Sequence, residues 1–582
     1  MMNISRKVQS DFYKIHARQQ EEEYRDYLLS DAFSLYQSNK LYAGIFLGID
    51  KSGNVLVRFK TDKLPRKNMV FTSFTLPEKF NTPIKWEGKR YIDIRKTAAN
   101  DARIGGTGIE AIVSDAHSIY FAKYKEDPNW IIAGFSQVEM KLVEILSQGE
   151  IVVFARKEPP IDYLLAMQDL SLRIKTPNPI LDFDTDSKTS WNPKNLKFND
   201  NIPNTISEWL SKQNEIMIQG PPGTGKTYLM SQLCQRFIEE GNSVMVTAQS
   251  NQALVELAQN RDNLKNALDS GNVFKTSLSS DEKKKIPEIQ SLNEISPIKG
   301  RLHLSTYYKL SKVIKNYPHH PVYDILILEE ASQAYLTTIA SFRLMTKKII
   351  IVGDPLQLPP AWREELVNQL HPLIHKVANG LVTYAHYSNE KSFRLTESHR
   401  LPVRAAKLTG TFYEDSLVSV AKHTPPFKLV LSEELQKMLH PMGGSSLYYI
   451  NMDDGGKKPM NAIDLIARLS KDFLENNPSK KLAIVSPFVE TNKVIQATVT
   501  QSLSRDYGEV VETIDRIQGL TSDFTLLLIP FDGMYFSFDI NRFNVATSRS
   551  KTHTLIIIDE AFNKHKPPGD SKVLKYLERA KQ

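Results

Sequence analysis

The chain has 582 residues, of which 41% are hydrophobic and 24% charged, with a formal net charge of +8. This is the composition of a soluble globular protein, and the length is too great for one core, so several domains are expected. The only cysteine, Cys234, excludes internal disulfides, an iron–sulfur cluster and a cysteine zinc cage. The sequence shows neither a secretion signal nor an apolar run long enough for a bilayer, so we expect a cytoplasmic protein without a membrane partner.

The N-terminal part predicts a helix, a small β-barrel and further helix. A helical pattern covers residues 5–39, and alternating stretches at 41–49 and 54–60 flank a turn that contains Gly53, which indicates a β-hairpin. Further strands are expected at residues 69–76, 109–114 and 118–124, and helices at 136–148 and 163–173. The basic residues of this part either contact a nucleic-acid backbone or form a solvated edge: Arg58, Lys60, Lys63, Arg66 and Lys67.

After a linker rich in Pro, Asn, Asp and Ser at residues 176–204, short apolar strands alternate with helices. The strands are expected at residues 216–218, 243–247, 301–305, 324–328 and 348–352, and again at 481–485, 511–514, 524–529 and 554–558. Continuous apolar strands are buried on both faces, which indicates parallel sheets and an α/β fold class. The predicted domains are residues 1–195, 196–375 with an insertion at about 260–299, and 376–582.

A phosphate-binding pattern, G-x-x-x-x-G-K-[ST], lies between the first apolar strand and an amphipathic helix. Its glycines allow backbone N–H groups to turn inward around a nucleoside triphosphate at a helix N-terminus. The lysine reaches the β- and γ-phosphates, and the final threonine hydroxyl helps to hold Mg²⁺. The predicted cofactor-binding residues are Gly220, Pro221, Pro222, Gly223, Thr224, Gly225, Lys226 and Thr227.

Two consecutive carboxylates, Glu329 and Glu330, follow the apolar strand at 324–328. Because ligands bind at the carboxyl ends of parallel strands, one acid is suited to hold Mg²⁺ and the other to deprotonate the attacking water. Gln357 lies on a proline-bounded loop and is suited to sense a γ-phosphate. Arg400 and Arg549 either stabilise the transferring phosphoryl group from a neighbouring domain or form ion pairs.

Taken in order, these segments resemble the motifs of superfamily 1 helicases, in the branch of the nonsense-mediated-decay and immunoglobulin-switch-region-binding helicases. The corresponding segments are motif I at 220–227, Ia at 246–251, II at 329–334, III at 353–360, IV at 395–402, V at 513–519 and VI at 542–551. The resemblance covers about residues 216–559 in the correct order. The N-terminal helix–barrel–helix resembles the stalk and accessory barrel of this branch.

The resemblance implies two RecA-like domains with ATP and Mg²⁺ in the cleft between them and a single strand of DNA or RNA across the top. It implies that Glu330 is the catalytic base, that Glu329 and Thr227 hold the metal, and that Gln357 senses the γ-phosphate. Arg400 and Arg549 would contact that phosphate from the second domain. The implied nucleic-acid contacts are Ser250, Asn251, Thr306, Tyr307, Pro487, Phe488 and Thr513. For Tyr307 and Phe488, core packing is an equally good interpretation of the sequence.

Three positions depart from the pattern of this branch. Glu329 stands where the family usually has aspartate, residues 201–209 contain no glutamine to read adenine, and Leu520-Thr521 replaces a segment that often carries glutamate. The expected function is an ATP-dependent helicase or translocase that moves 5′ to 3′. An ATPase that strips proteins without unwinding, and a nucleotide-gated interaction subunit, stay open as alternatives. The choice of DNA or RNA, a separately encoded protein partner and the oligomeric state also stay open.

Overall fold

The computed structural model describes residues 4–99, 113–183, 191–197, 201–292, 294–315, 320–454, 456–564 and 570–581. The chain divides into two compact units. Unit 1 comprises residues 1–19, 160–424 and 540–548, and unit 2 comprises residues 20–159, 425–539 and 549–582. Most of the strand predicted at 109–114, and residues 184–190 and 198–200 of the predicted linker, lie outside the described residues.

A closed antiparallel barrel occupies the N-terminal part of unit 2. Its order is β1-β2-β5-β4-β3-β6, and the rings of Phe135 and Phe154 stack in its core with centroids 4.2 Å apart. The elements of this region are α1 (Arg6–Leu29), α2 (Ala32–Gln37), β1 (Leu41–Ile49), β2 (Val55–Lys60), β3 (Val70–Thr75), α3 (Tyr91–Ala99), β4 (Ser114–Lys123), β5 (Trp130–Ser136), α4 (Met140–Glu144) and β6 (Ile151–Ala155). The predicted hairpin and barrel are confirmed.

The helix predicted at residues 136–148 is wrong, because only Met140–Glu144 is helical there. The sequence analysis also missed β5 and β6, which close the barrel. Both are short apolar runs, and periodicity alone does not distinguish such a run from a buried piece of helix.

Unit 1 is built on a nine-stranded parallel sheet in the order β11-β10-β12-β9-β13-β14-β8-β15-β7. Its strands are β7 (Lys194–Leu196), β8 (Glu215–Gln219), β9 (Val244–Ala248), β10 (Val273–Thr276), β11 (Gln290–Leu292), β12 (Leu302–Thr306), β13 (Tyr323–Leu328), β14 (Thr346–Gly353) and β15 (Ser392–Leu395). All residues of β8 and β9 are buried, as expected for a sheet with helices on both faces. The two strands of the segment predicted as an insertion, β10 and β11, continue the sheet at one edge.

The remaining elements of unit 1 surround this sheet. They are α5 (Asp162–Arg173), α6 (Ile202–Lys212), α7 (Lys226–Glu239), α8 (Asn251–Ala258), α9 (Arg261–Asp269), α10 (Ser280–Lys285), α11 (Tyr307–Ile314), α12 (Leu336–Leu344), α13 (Leu366–Gln369), α14 (His375–Ala378), α15 (Gly380–Tyr387), the strand pair β16 (Glu397–Ser398) and β17 (Val418–Ser419), and α16 (Val403–Gly410). Helix α21 (Ile540–Thr547) also belongs to this unit. Unit 1 therefore includes segments from far along the chain.

Unit 2 contains a second parallel sheet, in the order β18-β22-β21-β19-β20. Its elements are α17 (Glu433–Met438), β18 (Gly444–Ile450), α18 (Met460–Asn476), β19 (Leu482–Ser486), α19 (Val489–Ser502), β20 (Val510–Thr513), β21 (Ser522–Ile529), α20 (Met534–Ser537), β22 (Ser550–Asp559), α22 (Ala561–Lys564) and α23 (Ser571–Ala580). The predicted α/β class, with two tandem RecA-like domains and an N-terminal barrel, is confirmed. The domain boundaries at 195 and 375 stay predictions; strand β15, which lies beyond the second of them, pairs within the sheet of unit 1.

Within unit 2, ion pairs join the barrel to the second sheet. Arg66 pairs with Glu512 at 2.5 Å, and the buried Lys67 pairs with Asp506 at 2.9 Å and with Glu509 at 3.4 Å. Two of the five basic barrel residues are therefore engaged with acidic side chains. None of the helices in the described part of the chain has the length and apolar composition that a bilayer span requires.

Candidate functional site

The loop at residues 220–227 connects β8 to α7 at the carboxyl edge of the first sheet. Gly223 and Gly225 have φ values of +75° and +74°, a left-handed conformation that glycine adopts without strain. The Gly220 N–H donates to the Gly353 carbonyl at 3.0 Å, which fixes the loop to the end of β14. Lys226 Nζ donates to the Gly220 carbonyl at 2.5 Å, so the ammonium lies inside its own loop. The geometry is that of a backbone anion nest at the start of a helix.

Glu329 follows β13 and reaches the same loop. The Thr227 hydroxyl donates to Glu329 Oε1 at 2.7 Å, and the buried Oε2 has no hydrogen-bond partner among the described residues. This pair of oxygen donors fits Mg²⁺, and the glutamate side chain is long enough to reach the Thr227 hydroxyl. Among the described residues no three His, Cys, Asp or Glu side chains converge as a metal site, so a metal here needs further oxygens from phosphate and water.

Burial raises the pKa of Glu329 from 4.5 to about 8, against the effect of the Thr227 hydrogen bond, which lowers it. Across this window the folded protein retains a proton that the unfolded chain has released. The free energy of unfolding is therefore expected to fall as pH rises from about 4.5 to about 8, by on the order of a few kcal/mol. Urea denaturation in EDTA near the two ends of this window measures the change.

The Glu329→Gln variant removes the titrating group and is expected to flatten this pH dependence. Glu364→Gln, which changes an exposed carboxylate of the same unit, serves as the matched control and should keep the wild-type slope. Equal pH dependence in wild type and Glu329→Gln would contradict the assigned burial effect.

Glu330 stands beside Glu329 but has different surroundings. Its φ of +53° is left-handed, which is costly for a residue with a side chain and turns the backbone sharply after β13. The side chain is half-buried, and Oε2 accepts a hydrogen bond from the Ser250 hydroxyl at 3.3 Å. The two carboxylates thus differ in burial: Glu329 is buried, with a raised pKa, and must lose its proton when it binds a metal, whereas Glu330 is more accessible, as a base that contacts water must be.

Arg400 lies against the phosphate-binding loop. The His399 N–H donates to the Gly223 carbonyl at 2.8 Å, and a Cβ placed on Gly223 would come within 2.5 Å of Arg400 Cβ. Desolvation lowers the pKa of the Arg400 guanidinium to about 10, although Glu256 opposes this. The 2.5 Å approach of Arg400 Cβ means that a side chain at position 223 would collide with Arg400, so the packing requires glycine there.

Arg400 was expected to approach the phosphate from the second domain, and the structure corrects this expectation. Strand β15, which precedes it, pairs in parallel with β8 through Ser392 and Met217, so Arg400 belongs to the sheet of the phosphate loop rather than to a second domain. Its own backbone is held by His423, whose Nε2–H donates to the Arg400 carbonyl at 2.6 Å. The segment is thus fixed from both sides.

Gln357 is buried on the loop after β14, where its amide donates to the Asp354 carboxylate at 3.2 Å. Asp354, Tyr413 and Asn544 surround this loop, and the sequence analysis assigned no role to any of them. Asp354 and Asn544 lie within the quoted motifs III and VI, which is a signal that could have singled them out. Tyr413 carried no such signal.

The predicted nucleic-acid contacts of unit 1 divide into two groups. Ser250 and Asn251 begin α8, where the Asn251 amide oxygen accepts a hydrogen bond from Lys275 at 2.8 Å, and Thr306 is half-buried at the start of α11. Tyr307 is fully buried, and its hydroxyl donates to the Glu329 carbonyl. The structure therefore assigns Tyr307 to the core, because a ring without an exposed face cannot stack a base.

In unit 2, three predicted contacts follow neighbouring parallel strands. Pro487 and Phe488 come after β19 and Thr513 ends β20, where Ser486 and Thr513 are register partners. Pro487 and Thr513 are buried, whereas Phe488 is half-buried, with Lys457 Nζ 5.6 Å from its ring centroid. An aromatic face with a cation beside it is suited to base stacking.

Arg549 begins the last segment of unit 2, just before β22. Its side chain is buried, and its carbonyl accepts a hydrogen bond from the Ser522 N–H at 3.1 Å. Its predicted contact with a γ-phosphate stays a prediction.

Fold and site together define a P-loop α/β protein with RecA-like domains. Residues 204–379 match the family model described as AAA domain. The replicase polyprotein 1ab of Bat coronavirus HKU9 is 24% identical over 355 residues, and that of Murine coronavirus (strain 2) is 24% identical over 373. The matched regions are 59% and 62% of this chain, which spans 4% of the length of each of these relatives.

The matched residues 204–379 contain the segments that resemble motifs I, Ia, II and III of superfamily 1 helicases. The narrower branch named above stays a prediction. Among solved structures, an arterivirus nonstructural protein 10 (helicase) in complex with DNA is 14% identical, with a TM-score of 0.33. That similarity covers 64% of this chain and 65% of the arterivirus chain.

Proposed function

We propose that this protein is a nucleic-acid-stimulated ATPase that acts as a helicase or translocase on single-stranded or partly duplex DNA or RNA, with 5′ to 3′ movement. The observation that carries the proposal is the contact of Thr227 with Glu329 across the phosphate loop, with Glu330 and Arg400 beside it. We further propose that it works in the cytoplasm.

In this proposal each side chain has one chemical task. Backbone N–H groups of the loop and Lys226 would bind the phosphates, and Thr227 and Glu329 would hold Mg²⁺, which would supply charge neutralisation. Glu330 accepts the proton of the attacking water, with Ser250 orienting the carboxylate. Arg400 offsets the negative charge that builds on the transferring group, and Arg549 is proposed to act with it. Gln357 senses the γ-phosphate.

The strength with which each unit binds nucleic acid is proposed to change with the bound nucleotide. In unit 1, Ser250, Asn251 and Thr306 would contact the nucleic-acid backbone. In unit 2, Pro487 and Thr513 would lie beside the strand and Phe488 would stack a base. Each duplex step opposes strand separation by about 1.4 kcal/mol of stacking, so unwinding requires coupling to hydrolysis.

A strand-displacement assay beside a streptavidin-removal assay tests the function. Displacement of the strand supports a helicase. Removal of streptavidin without displacement supports the alternative of a protein-stripping translocase. ATP binding with neither activity, and with no nucleic-acid stimulation of phosphate release, would support a nucleotide-gated interaction subunit and contradict the proposal.

His423 provides a sharper test of the role of Arg400. Loss of its hydrogen bond to the Arg400 carbonyl frees the segment that presents the guanidinium, so His423→Ala is expected to lower kcat by about tenfold, with a smaller effect on KM for ATP. His423→Gln retains an N–H donor and should recover much of the rate. Steady-state ATPase kinetics measure both variants, and unchanged kcat in His423→Ala would refute the positioning role.

A further inference from the structure

The buried carboxylate of Asp354 is the centre of a hydrogen-bond network that the proposed chemistry does not use. Its Oδ1 accepts from the Gln219 amide at 3.0 Å and from the Leu356 N–H at 3.2 Å. Its Oδ2 accepts from the Tyr413 hydroxyl at 2.6 Å and from the Gln357 amide at 3.2 Å. Asp354 therefore joins the residue that precedes the phosphate loop to the loop that carries Gln357.

Helix α21 is attached to the same loop by two asparagines. Asn541 Nδ2 donates to the Gln357 carbonyl at 2.7 Å, and Asn544 Nδ2 donates to the Leu356 carbonyl at 2.8 Å. Asn544 Nδ2 also donates to the Tyr413 hydroxyl at 2.6 Å. Asn541 is half-buried, whereas Asn544 and Tyr413 are both fully buried.

In the network formed by Asp354, Tyr413 and Asn544, the donor and the acceptor of each hydrogen bond are determined. Tyr413 has one hydroxyl hydrogen, which goes to the Asp354 carboxylate, so its oxygen must accept from Asn544. The two Asn544 amide hydrogens are then used by Tyr413 and Leu356. Hydrogen bonds linked in this way polarise and strengthen one another, so the loss of one member weakens its neighbours.

We propose that Tyr413 and Asn544 are positioning residues that couple the Gln357 loop to helix α21 and, along the chain, to the segment that begins at Arg549. This inference rests on the proposed function, because it names the residues that would link the nucleotide-binding site to the binding of nucleic acid. A shift of Gln357 toward a phosphate displaces the carbonyls of residues 355–357, and these are the groups that hold α21.

The test compares ATPase rates with and without single-stranded oligonucleotide. Tyr413→Phe removes one hydroxyl and no packing volume, and is expected to reduce the stimulation factor by about tenfold, with less than about twofold change in KM for ATP. The matched control is Tyr384→Phe, because Tyr384 is fully buried in the same unit and its hydroxyl has no hydrogen-bond partner among the described residues. That variant should retain wild-type stimulation.

A double-mutant cycle distinguishes a relay from separate structural effects. If both residues act through one chain, Tyr413→Phe combined with Asn544→Ala should lose no more stimulation than the worse single variant. If Tyr413→Phe lowers the melting temperature strongly, Asn544→Ala alone tests the same link from the side of α21.

The inference is overturned by wild-type stimulation in both single variants, by an equal fall of basal and stimulated rates, or by additive losses in the double variant. Wild-type protein without any stimulation would instead contradict the proposed function, and this inference with it. Stimulated wild type with unaffected variants refutes only the coupling.

Discussion

Replacement of Lys226 by alanine is expected to abolish ATP turnover. The ammonium lies within the phosphate loop, 2.5 Å from the Gly220 carbonyl, and is the cation positioned to neutralise β- and γ-phosphate charge. Without it, several backbone N–H donors remain, so weak nucleotide binding can persist while the transition state loses its main charge partner. Phosphate release under saturating ATP and nucleic acid measures the effect.

The matched control for this variant is Lys212→Ala, which removes an exposed lysine at the end of α6. It should retain wild-type turnover and the same melting temperature. Normal hydrolysis by Lys226→Ala would show that the nucleotide site lies elsewhere.

The Glu330→Gln variant is expected to bind ATP and to hydrolyse it about 10²- to 10⁴-fold more slowly. The amide has nearly the shape of the carboxylate, but it has lost the basicity that the attacking water requires. Ser250 still has an oxygen to which it can donate, so the local structure should hold. Single-turnover hydrolysis and equilibrium binding of a fluorescent ATP analogue separate the two effects.

Glu364→Gln is the control for this variant also, since it changes an exposed carboxylate of unit 1. A Glu330→Gln protein that neither binds nor hydrolyses ATP would indicate structural damage, and Ser250→Ala then tests the same carboxylate. Wild-type hydrolysis by Glu330→Gln would remove this residue from the role of base.

Much of the fold was predictable from the order of apolar and polar residues within short segments, because that order follows from which faces of a strand or helix are buried. The hairpin around Gly53 and the strand before Gly220 follow from alternation and from continuous burial, and the structure has them within one or two residues. Strands β5 and β6 were not predicted, because their apolar runs are too short to show the alternation of a strand. The pairing of β15 with β8 depends on chain topology over a separation that no local pattern encodes.

For the candidate site as well, the sequence predicted the residues that belong to local motifs and not those that depend on contacts between distant segments. Residue types at fixed spacing predicted roles for Lys226, Glu329 and Glu330, since phosphate and metal chemistry demands such side chains, and the structure has Lys226 and Glu329 at the same loop. Sequence could not separate the buried Tyr307 from a stacking residue, because both roles call for an aromatic side chain. Nor could it find Tyr413, whose partners become neighbours only when segments far apart in the chain fold together.

We propose that a nucleotide bound at the loop of residues 220–227 drives movement on nucleic acid. The most direct measurement is the ATPase rate of the purified full chain with single-stranded DNA, with single-stranded RNA and with neither. The account predicts Mg²⁺-dependent hydrolysis that at least one of the two strands increases several-fold, and that Lys226→Ala lacks. Hydrolysis that neither strand changes, or no hydrolysis at all, would contradict it.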